Sequence, residues 1–251
     1  MKQSMTIAKS AERLKIDPSK TSVVLLAAGH GTRMRPLTDK LPKPLLKVGD
    51  HSLIEHHINR LSALGFKQIV INTAYLGEKI QQQLGNGERY GVDIHYSDES
   101  STGALETAGG IKKSLPLIDS DPFLVVNADI YSDFDFSSLF KIEPDALGCL
   151  VLVPNPPHNL AGDFIINNPG MKHQGGSVSN STMTFSGIAL YRKIMFSVLP
   201  QGKLALGPIL KRIIGNDKLV AMPYYGRWVD VGTPERLSEL NSSLVSQIDS
   251  Y

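Results

Sequence analysis

Apolar runs and amphipathic stretches alternate between Ser22 and Pro154. The runs Ser22 to Ala28, Gln68 to Asn72, Asp93 to Ser97, Phe123 to Asn127 and Leu147 to Val153 read as strands. Between the first two, Leu53, Ile54, His57, Ile58, Leu61 and Leu64 recur at helical spacing, with Ser52 placed to cap the helix and Gly65 to end it. Gly77 to Leu84 and Thr107 to Ser114 read as the next two helices. This alternation predicts an α/β fold, a mostly parallel sheet covered by helices.

Beyond Pro154 the texture changes. Asn155-Pro156-Pro157-His158-Asn159 interrupts the pattern, and the polar, glycine-rich run Asn167 to Asn180 is expected to be a long loop, either without order or part of a binding site. Thr182 to Tyr191 then reads as a strand, Ala205 to Ile214 as a helix and Leu219 to Pro223 as a strand. A final helix follows Thr233 as cap, with Pro234 in its first turn. No internal repeat is visible, and no hexapeptide β-helix.

With 251 residues, 41% of them hydrophobic, the chain is long enough to bury a full core. One domain over 21–251 is expected, with a first part to about 153, a second over 154–232 and a closing helix over 233–251. The net charge is +2 and the basic residues are scattered, which argues against nucleic acid as a partner. Cys149, the single cysteine, lies in an apolar run and reads as a buried strand residue, so no disulfide within the chain is expected. No apolar stretch approaches the roughly 18 residues of a membrane helix. Met1 to Lys20 lacks the apolar region of a secretory signal and reads as a mobile leader outside the core, with the cytoplasm as the expected location. His56 and His57 read as packing or surface residues of a helix. Monomer and dimer both stay open.

The chemistry concentrates in Leu25-Leu26-Ala27-Ala28-Gly29-His30-Gly31-Thr32-Arg33-Met34-Arg35-Pro36 and, close behind, Pro42-Lys43-Pro44. An apolar strand runs into a two-glycine turn whose amides can face anionic oxygens, and Arg33 and Lys43 add positive charge. Two prolines brace Lys43 on a stiff segment. A strand and a G-x-G alone would be an ordinary βα loop, and the spacing misses both common phosphate fingerprints, with Met34 where a third glycine would stand. The length of the ordered run is what separates it from that reading. Two acidic positions accompany it. Asp129 ends the strand segment Phe123-Leu124-Val125-Val126-Asn127-Ala128, at the sheet edge where open α/β sheets place ligands, and Asp230 ends another at Trp228-Val229. A pair of aspartates suits magnesium, which takes its remaining oxygens from water and substrate phosphates. Either one alone reads equally well as a turn cap or a solvated strand end. Asp133-Phe134-Asp135 has the spacing of a glycosyltransferase metal motif but lies past the predicted strand, where a turn and helix start fit better.

Taken together, these motifs resemble the sugar-1-phosphate nucleotidyltransferases. The matching segments are Leu26-Ala27-Ala28-Gly29-x-Gly31-Thr32-Arg33-Met34, Pro42-Lys43-Pro44-Leu45, Leu105-x-Thr107-Ala108-Gly109-Gly110, Asn127-Ala128-Asp129 and Trp228-x-Asp230-x-Gly232-Thr233-Pro234, spread from Ser22 to Leu240. Within that family the chain looks most like the N-acetylmuramate-1-phosphate uridylyltransferases of cell-wall recycling. That narrower likeness rests on Leu105-Glu106-Thr107, Asn155-Pro156-x-His158, Gly162-Asp163-Phe164 and Thr184-Phe185-Ser186-Gly187-Ile188. Mannose-1-phosphate guanylyltransferases share much of the pattern.

The resemblance implies a Rossmann-like, GT-A-like mixed sheet and a reaction between a nucleoside triphosphate, UTP favoured, and a sugar 1-phosphate. It implies that Ala28, Gly29, Gly31 and Thr32 approach the nucleotide, that Arg33 holds its outer phosphates, and that Lys43 bridges the α-phosphate and the sugar phosphate. Asn127, Glu106 and Gly110 would lie along the nucleotide, Asn155, Asp163 and Gly187 near the sugar phosphate, and Asp129 and Asp230 would hold Mg2+. Arg33, Lys43 and Asp129 are thus the expected catalytic groups. No Ser-His-Asp or Cys-His set is evident, and none is needed: a phosphate monoester with a second pKa of about 6 is already mostly dianionic at neutral pH. His158, Arg227 and Lys172 are candidates to read a lactyl carboxylate, with surface solvation the plainer role for each. The rivals are a guanylyltransferase and a non-catalytic subunit that binds nucleotide sugars.

Overall fold

A computed structural model of the chain describes residues 4–7, 14–172, 178–214 and 218–248. Nine strands form its main sheet: β1 (Ser4–Ile7), β2 (Val23–Leu26), β3 (Gln68–Thr73), β4 (Asp93–Asp98), β5 (Phe123–Asn127), β6 (Gly148–Val153), β7 (Phe164–Lys172), β8 (Val178–Tyr191) and β9 (Leu219–Pro223). Their order across the sheet is β6-β9-β1-β7-β8-β5-β2-β3-β4, with a further antiparallel pairing of β6 to β8. The β5-β2-β3-β4 half is parallel throughout. β8 runs antiparallel to both β5 and β7. The helices are α1 (Leu53–Ala63), α2 (Gly77–Leu84), α3 (Glu106–Ser114), the short α4 (Ile194–Ser197), α5 (Leu206–Ile214) and α6 (Pro234–Ile248).

The apolar runs are strands because helices cover them on both sides. In β2, Val23 and Leu25 join a core layer with Ile54, Ile58 and Leu61 of α1 and Ile80 and Leu84 of α2. Val24, on the opposite face, packs in a layer with Ala108 and Ile111 of α3 and Leu206, Ile209 and Leu210 of α5. Burial on both faces removes the polar alternation of a half-exposed strand.

Strand order fixes where a ligand can sit. From β2 the chain steps outward to β3 and β4, then returns to place β5 on the other side of β2. Loops leaving the carboxyl ends of β2 and β5 therefore diverge and leave a crevice, the switch point at which open α/β sheets bind ligands. Leu26 is in register with Asn127, so the glycine turn and Asp129 leave the sheet side by side.

Helix α1 starts as predicted, with a full capping box: Glu55 accepts bonds from the Ser52 backbone N–H at 2.9 Å and hydroxyl at 2.7 Å. Burial works against the Glu55 charge, but the bonds from Ser52 and Tyr90 and the nearby Arg89 outweigh it and hold the carboxyl down to about 2. His57 is buried, its Nε2 bonded to the Ile130 carbonyl at 2.9 Å, and desolvation pushes it down to about 4. It is a packing histidine. Cys149 is buried in β6, also as expected.

Two expectations are corrected. Part of the leader is sheet: Ser4–Ile7 pairs in parallel with β7 and β9, and Met5 is 1% exposed. Four residues are too short to show periodicity, and their partners lie more than 150 positions away, so the strand has no local signature. The polar run Asn167 to Asn180 is not an extended loop over its described residues. β7 continues to Lys172 and β8 begins at Val178, with Asn167 opposite Asn180 and Lys172 opposite Val178. A two-stranded ladder satisfies backbone groups whatever the side chains, which is why polarity misleads there. Residues 173–177 of that run, and 8–13 of the leader, lie outside the described part.

Candidate active site

The glycine turn is held in shape from below. Gly31 has φ +61, and a Cβ there would stand 3.0 Å from Thr38 Cγ2 and 3.2 Å from Lys43 Cβ. Thr38 Oγ1 donates to the Gly31 carbonyl at 2.8 Å. Only glycine meets both the left-handed backbone and the close approach. Met34 explains the missing third glycine. Its side chain is fully buried in a cluster with Leu46, Leu53, Val231 and Leu240 and so bolts the turn to α6 and its neighbours.

At the turn's entry, the Ala27 N–H donates to Asn72 Oδ1 at 2.7 Å, Asn72 Nδ2 donates to Glu99 Oε1 at 2.7 Å, and Glu99 Oε2 accepts the Leu105 N–H at 2.7 Å. Glu99 is fully buried and links the glycine turn to the start of α3. Sequence reasoning missed it. The available signal was an acidic residue just past the carboxyl end of a sheet strand. Gly110 leaves room for this network, since a Cβ there would lie 2.6 Å from both Asn72 Nδ2 and Glu99 Oε1.

Lys43 opens a 3-10 turn, Lys43–Leu45, with Pro42 before it and Pro44 inside it. Its ammonium is 2.7 Å from Asp129 Oδ2 and 4.0 Å from Asp230 Oδ1, and the residue is only 7% exposed. The short strand Trp228–Asp230 pairs antiparallel with Ile130–Ser132, with Asp230 opposite Ile130, and this pairing carries Asp230 to Asp129 across a hundred residues of chain. Asp230 Oδ2 is engaged from behind by Arg236 Nη1 at 2.8 Å and His158 Nε2 at 3.3 Å. Arg236, on α6, was not anticipated either. Asp133 accepts from the Tyr224 hydroxyl and Asp135 caps the turn Phe136–Leu139, so this Asp-x-Asp is structural. No group of three or more His, Cys, Asp or Glu side chains with metal-binding geometry occurs among the described residues.

Around these groups lies a cavity of about 340 Å³ lined by Ala28, Gly29, Gly31, Thr32, Arg33 and Lys43 on one side and Glu106, Asn127 and Asp129 on the other. Glu99 and Gly232 line it too. A second cavity, about 670 Å³, shares Glu106, Thr107 and Asn127 with the first and extends to Asp163, Phe185 and α5. Glu106 stands at the junction with φ +60, a left-handed backbone that costs a side-chain-bearing residue on the order of 1 kcal/mol. Lys203 lies 3.5 Å from its carboxylate.

Asp163 borders the second cavity; Asn155 and Gly187 stand behind the walls. Asn155 donates to Thr182 Oγ1 at 2.9 Å and the Leu160 carbonyl at 3.2 Å, closing the turn at Gly162. Gly187, at φ +82, leaves space for Asn127, whose Nδ2 would lie 2.7 Å from a Cβ at that position. Neither residue lines the cavity. His158 and Arg227 line a third cavity of about 570 Å³, on the Asp230 and Arg236 side. The Lys172 side chain lies outside the described part.

Fold and site define a Rossmann-like α/β protein that gathers a glycine turn, a buried lysine and two aspartates at a sheet switch point. The chain belongs to the nucleotidyl transferase family, whose sequence profile matches residues 22–161. It is 45% identical over 221 residues to an N-acetylmuramate alpha-1-phosphate uridylyltransferase of Neisseria meningitidis, a match that covers 86% of this chain and 95% of the relative. A mannose-1-phosphate guanyltransferase of Hypocrea jecorina is 29% identical, over 84% of this chain and 61% of its own length. Among solved structures, HddC from Yersinia pseudotuberculosis complexed with GMP-PN superimposes with a TM-score of 0.69 at 18% identity, covering 89% of this chain and 99% of that one. That likeness shows the fold. No helix among the described residues is long and apolar enough to cross a membrane.

Proposed function

We propose that the protein transfers UMP from UTP to N-acetylmuramate 1-phosphate, giving UDP-N-acetylmuramate and pyrophosphate, a cytoplasmic step of peptidoglycan recycling. The observation that carries the reading is the convergence of Asp129 and Asp230 on the buried Lys43 ammonium beside the glycine turn. The 45% identity to the Neisseria relative supports the choice of base and sugar.

An oxygen of the sugar phosphate attacks the α-phosphorus of the triphosphate in line. The bond from that phosphorus to the bridging oxygen breaks, and pyrophosphate leaves with the electron pair. The nucleophile is already anionic, so the barrier lies in bringing two anions together and stabilising the charge that builds on the leaving group. Lys43 stands between the two phosphates and neutralises both. Arg33 and the amides of the glycine turn hold the outer phosphates.

Two carboxylates from separate segments of the chain, with no cysteine beside them, are the donor set that magnesium accepts when phosphates complete its shell. Asp129 and Asp230 would hold it, and it would supply further neutralisation of phosphate oxygens. Arg236 and His158 occupy Asp230 Oδ2, so Oδ1 is the oxygen turned to the Lys43 side.

Pyrophosphate release, measured with UTP and GTP crossed against N-acetylmuramate 1-phosphate and mannose 1-phosphate, tests the reading. UTP with the muramate ester is expected to give the highest kcat/KM. A preference for GTP with mannose 1-phosphate would make the protein a guanylyltransferase, and no release with any pair would make it a nucleotide-sugar sensor.

A further inference from the structure

The second cavity is chemically asymmetric. Its far wall is apolar, built from Phe164, Phe185, Leu206, Leu210 and Ile214. Its acidic groups are already engaged. Asp163 accepts the Phe185 N–H at 2.8 Å and the Asn159 amide at 3.1 Å, and Glu106 faces Lys203. One cation lines this wall without an ion pair among the described residues: Lys211, on α5.

Helix geometry aims it. Side chains on a helix lean toward its N-terminus, over the residue four positions earlier. For Lys211 that residue is Gly207, which also lines the cavity and has nothing within 4 Å of where a Cβ would be. The open ground above Gly207 gives the lysine stem a place to lie against the apolar wall, with its ammonium at the cavity.

We infer that Lys211 and the adjoining Leu210 and Phe185 form a subsite for a carboxylate carried on a short branched aliphatic stem, and so read the lactyl ether of the sugar. The ammonium takes the carboxylate and the apolar wall takes the methyl group. The inference rests on the substrate reading above and assigns to one residue the discrimination between N-acetylmuramate and the same amino sugar without its lactyl group.

The test compares wild type, Lys211→Gln and Lys211→Arg on N-acetylmuramate 1-phosphate and N-acetylglucosamine 1-phosphate, each with UTP. A charge-assisted bond of about 1.5 to 3 kcal/mol corresponds to roughly 10- to 100-fold. Lys211→Gln is expected to lose that much kcat/KM on the muramate ester, chiefly through KM, while its activity on the glucosamine ester is unchanged and Lys211→Arg recovers most of the loss. Full retention of discrimination in Lys211→Gln, or an equal loss on both esters, overturns the subsite. Wild-type enzyme that ignores the muramate ester but turns over another sugar phosphate overturns the substrate reading instead, and the subsite with it.

Discussion

Lys43 is the residue on which the most charge depends. It is buried, it carries the one ammonium within 4.0 Å of both Asp129 and Asp230 among the described residues, and the glycine turn packs against its Cβ. Lys43→Ala is expected to lower turnover by on the order of 10² to 10³, the scale of losing one preorganised transition-state donor, as read by pyrophosphate release at saturating substrate. Near-normal turnover would remove the lysine from the reaction. Asp230→Asn keeps an oxygen for Arg236 to bond, so the fold is expected to hold while the charge is lost. Half-maximal activation should then move to a magnesium concentration higher by on the order of tenfold, and an unchanged metal titration would separate Asp230 from Asp129.

At the scale of elements, α1 couples the site to pH through stability. His57 is buried and neutral, with a folded-state value of about 4 against an ordinary value near 6.5. Between those values the unfolded chain binds the extra proton and the folded one does not, so the His57 contribution is complete above about pH 6.5 and is lost as pH falls toward 4. His56 is shifted in the same direction by burial. Glu55 acts lower down. Its carboxyl is held to about 2, so its contribution persists above roughly pH 4.5 and disappears only below that. A decline in melting temperature between pH 7 and 5 therefore belongs to the histidines, and His57→Gln should flatten it. An equally steep decline in that variant would assign the effect elsewhere. At the same helix, Ser52→Ala removes half of the capping box and should cost about 1 kcal/mol in denaturant unfolding.

For the whole molecule, the unexpected element is β1, which fills the gap between β7 and β9. Met5→Ala should lower unfolding free energy by about 2 to 5 kcal/mol, the range for truncating a fully buried side chain. Deleting residues 1–7 should lower it at least as far by unpairing two strands. A melting curve unchanged by either alteration would place the segment outside the folded core. The α/β class, the parallel half of the sheet and the bounds of α1 and α2 were legible in advance, because helices packed on both faces impose continuous apolar runs and a 3.6-residue period. The polar end of the β7–β8 ribbon, within Asn167 to Asn180, was not legible, since its sequence carries no alternation and its bonds come from the backbone, whereas Thr182 to Tyr191 of β8 read as a strand.

The same division runs through the site. Sequence alone determined the glycine turn, Arg33, the proline-braced Lys43, and the aspartates at the ends of two strand segments, because each of these needs only a local run of residue types to be recognised. Tertiary structure decided that Asp230 reaches Asp129, through the pairing of Trp228–Asp230 with Ile130–Ser132. It also decided that Glu99 and Arg236 brace the cradle, that Asn155 and Gly187 stand behind the walls, and that Lys211 rather than His158 or Arg227 lines the second cavity. Those facts are distances between residues far apart in the chain, set by strand order and helix packing, and no local pattern of side chains encodes them.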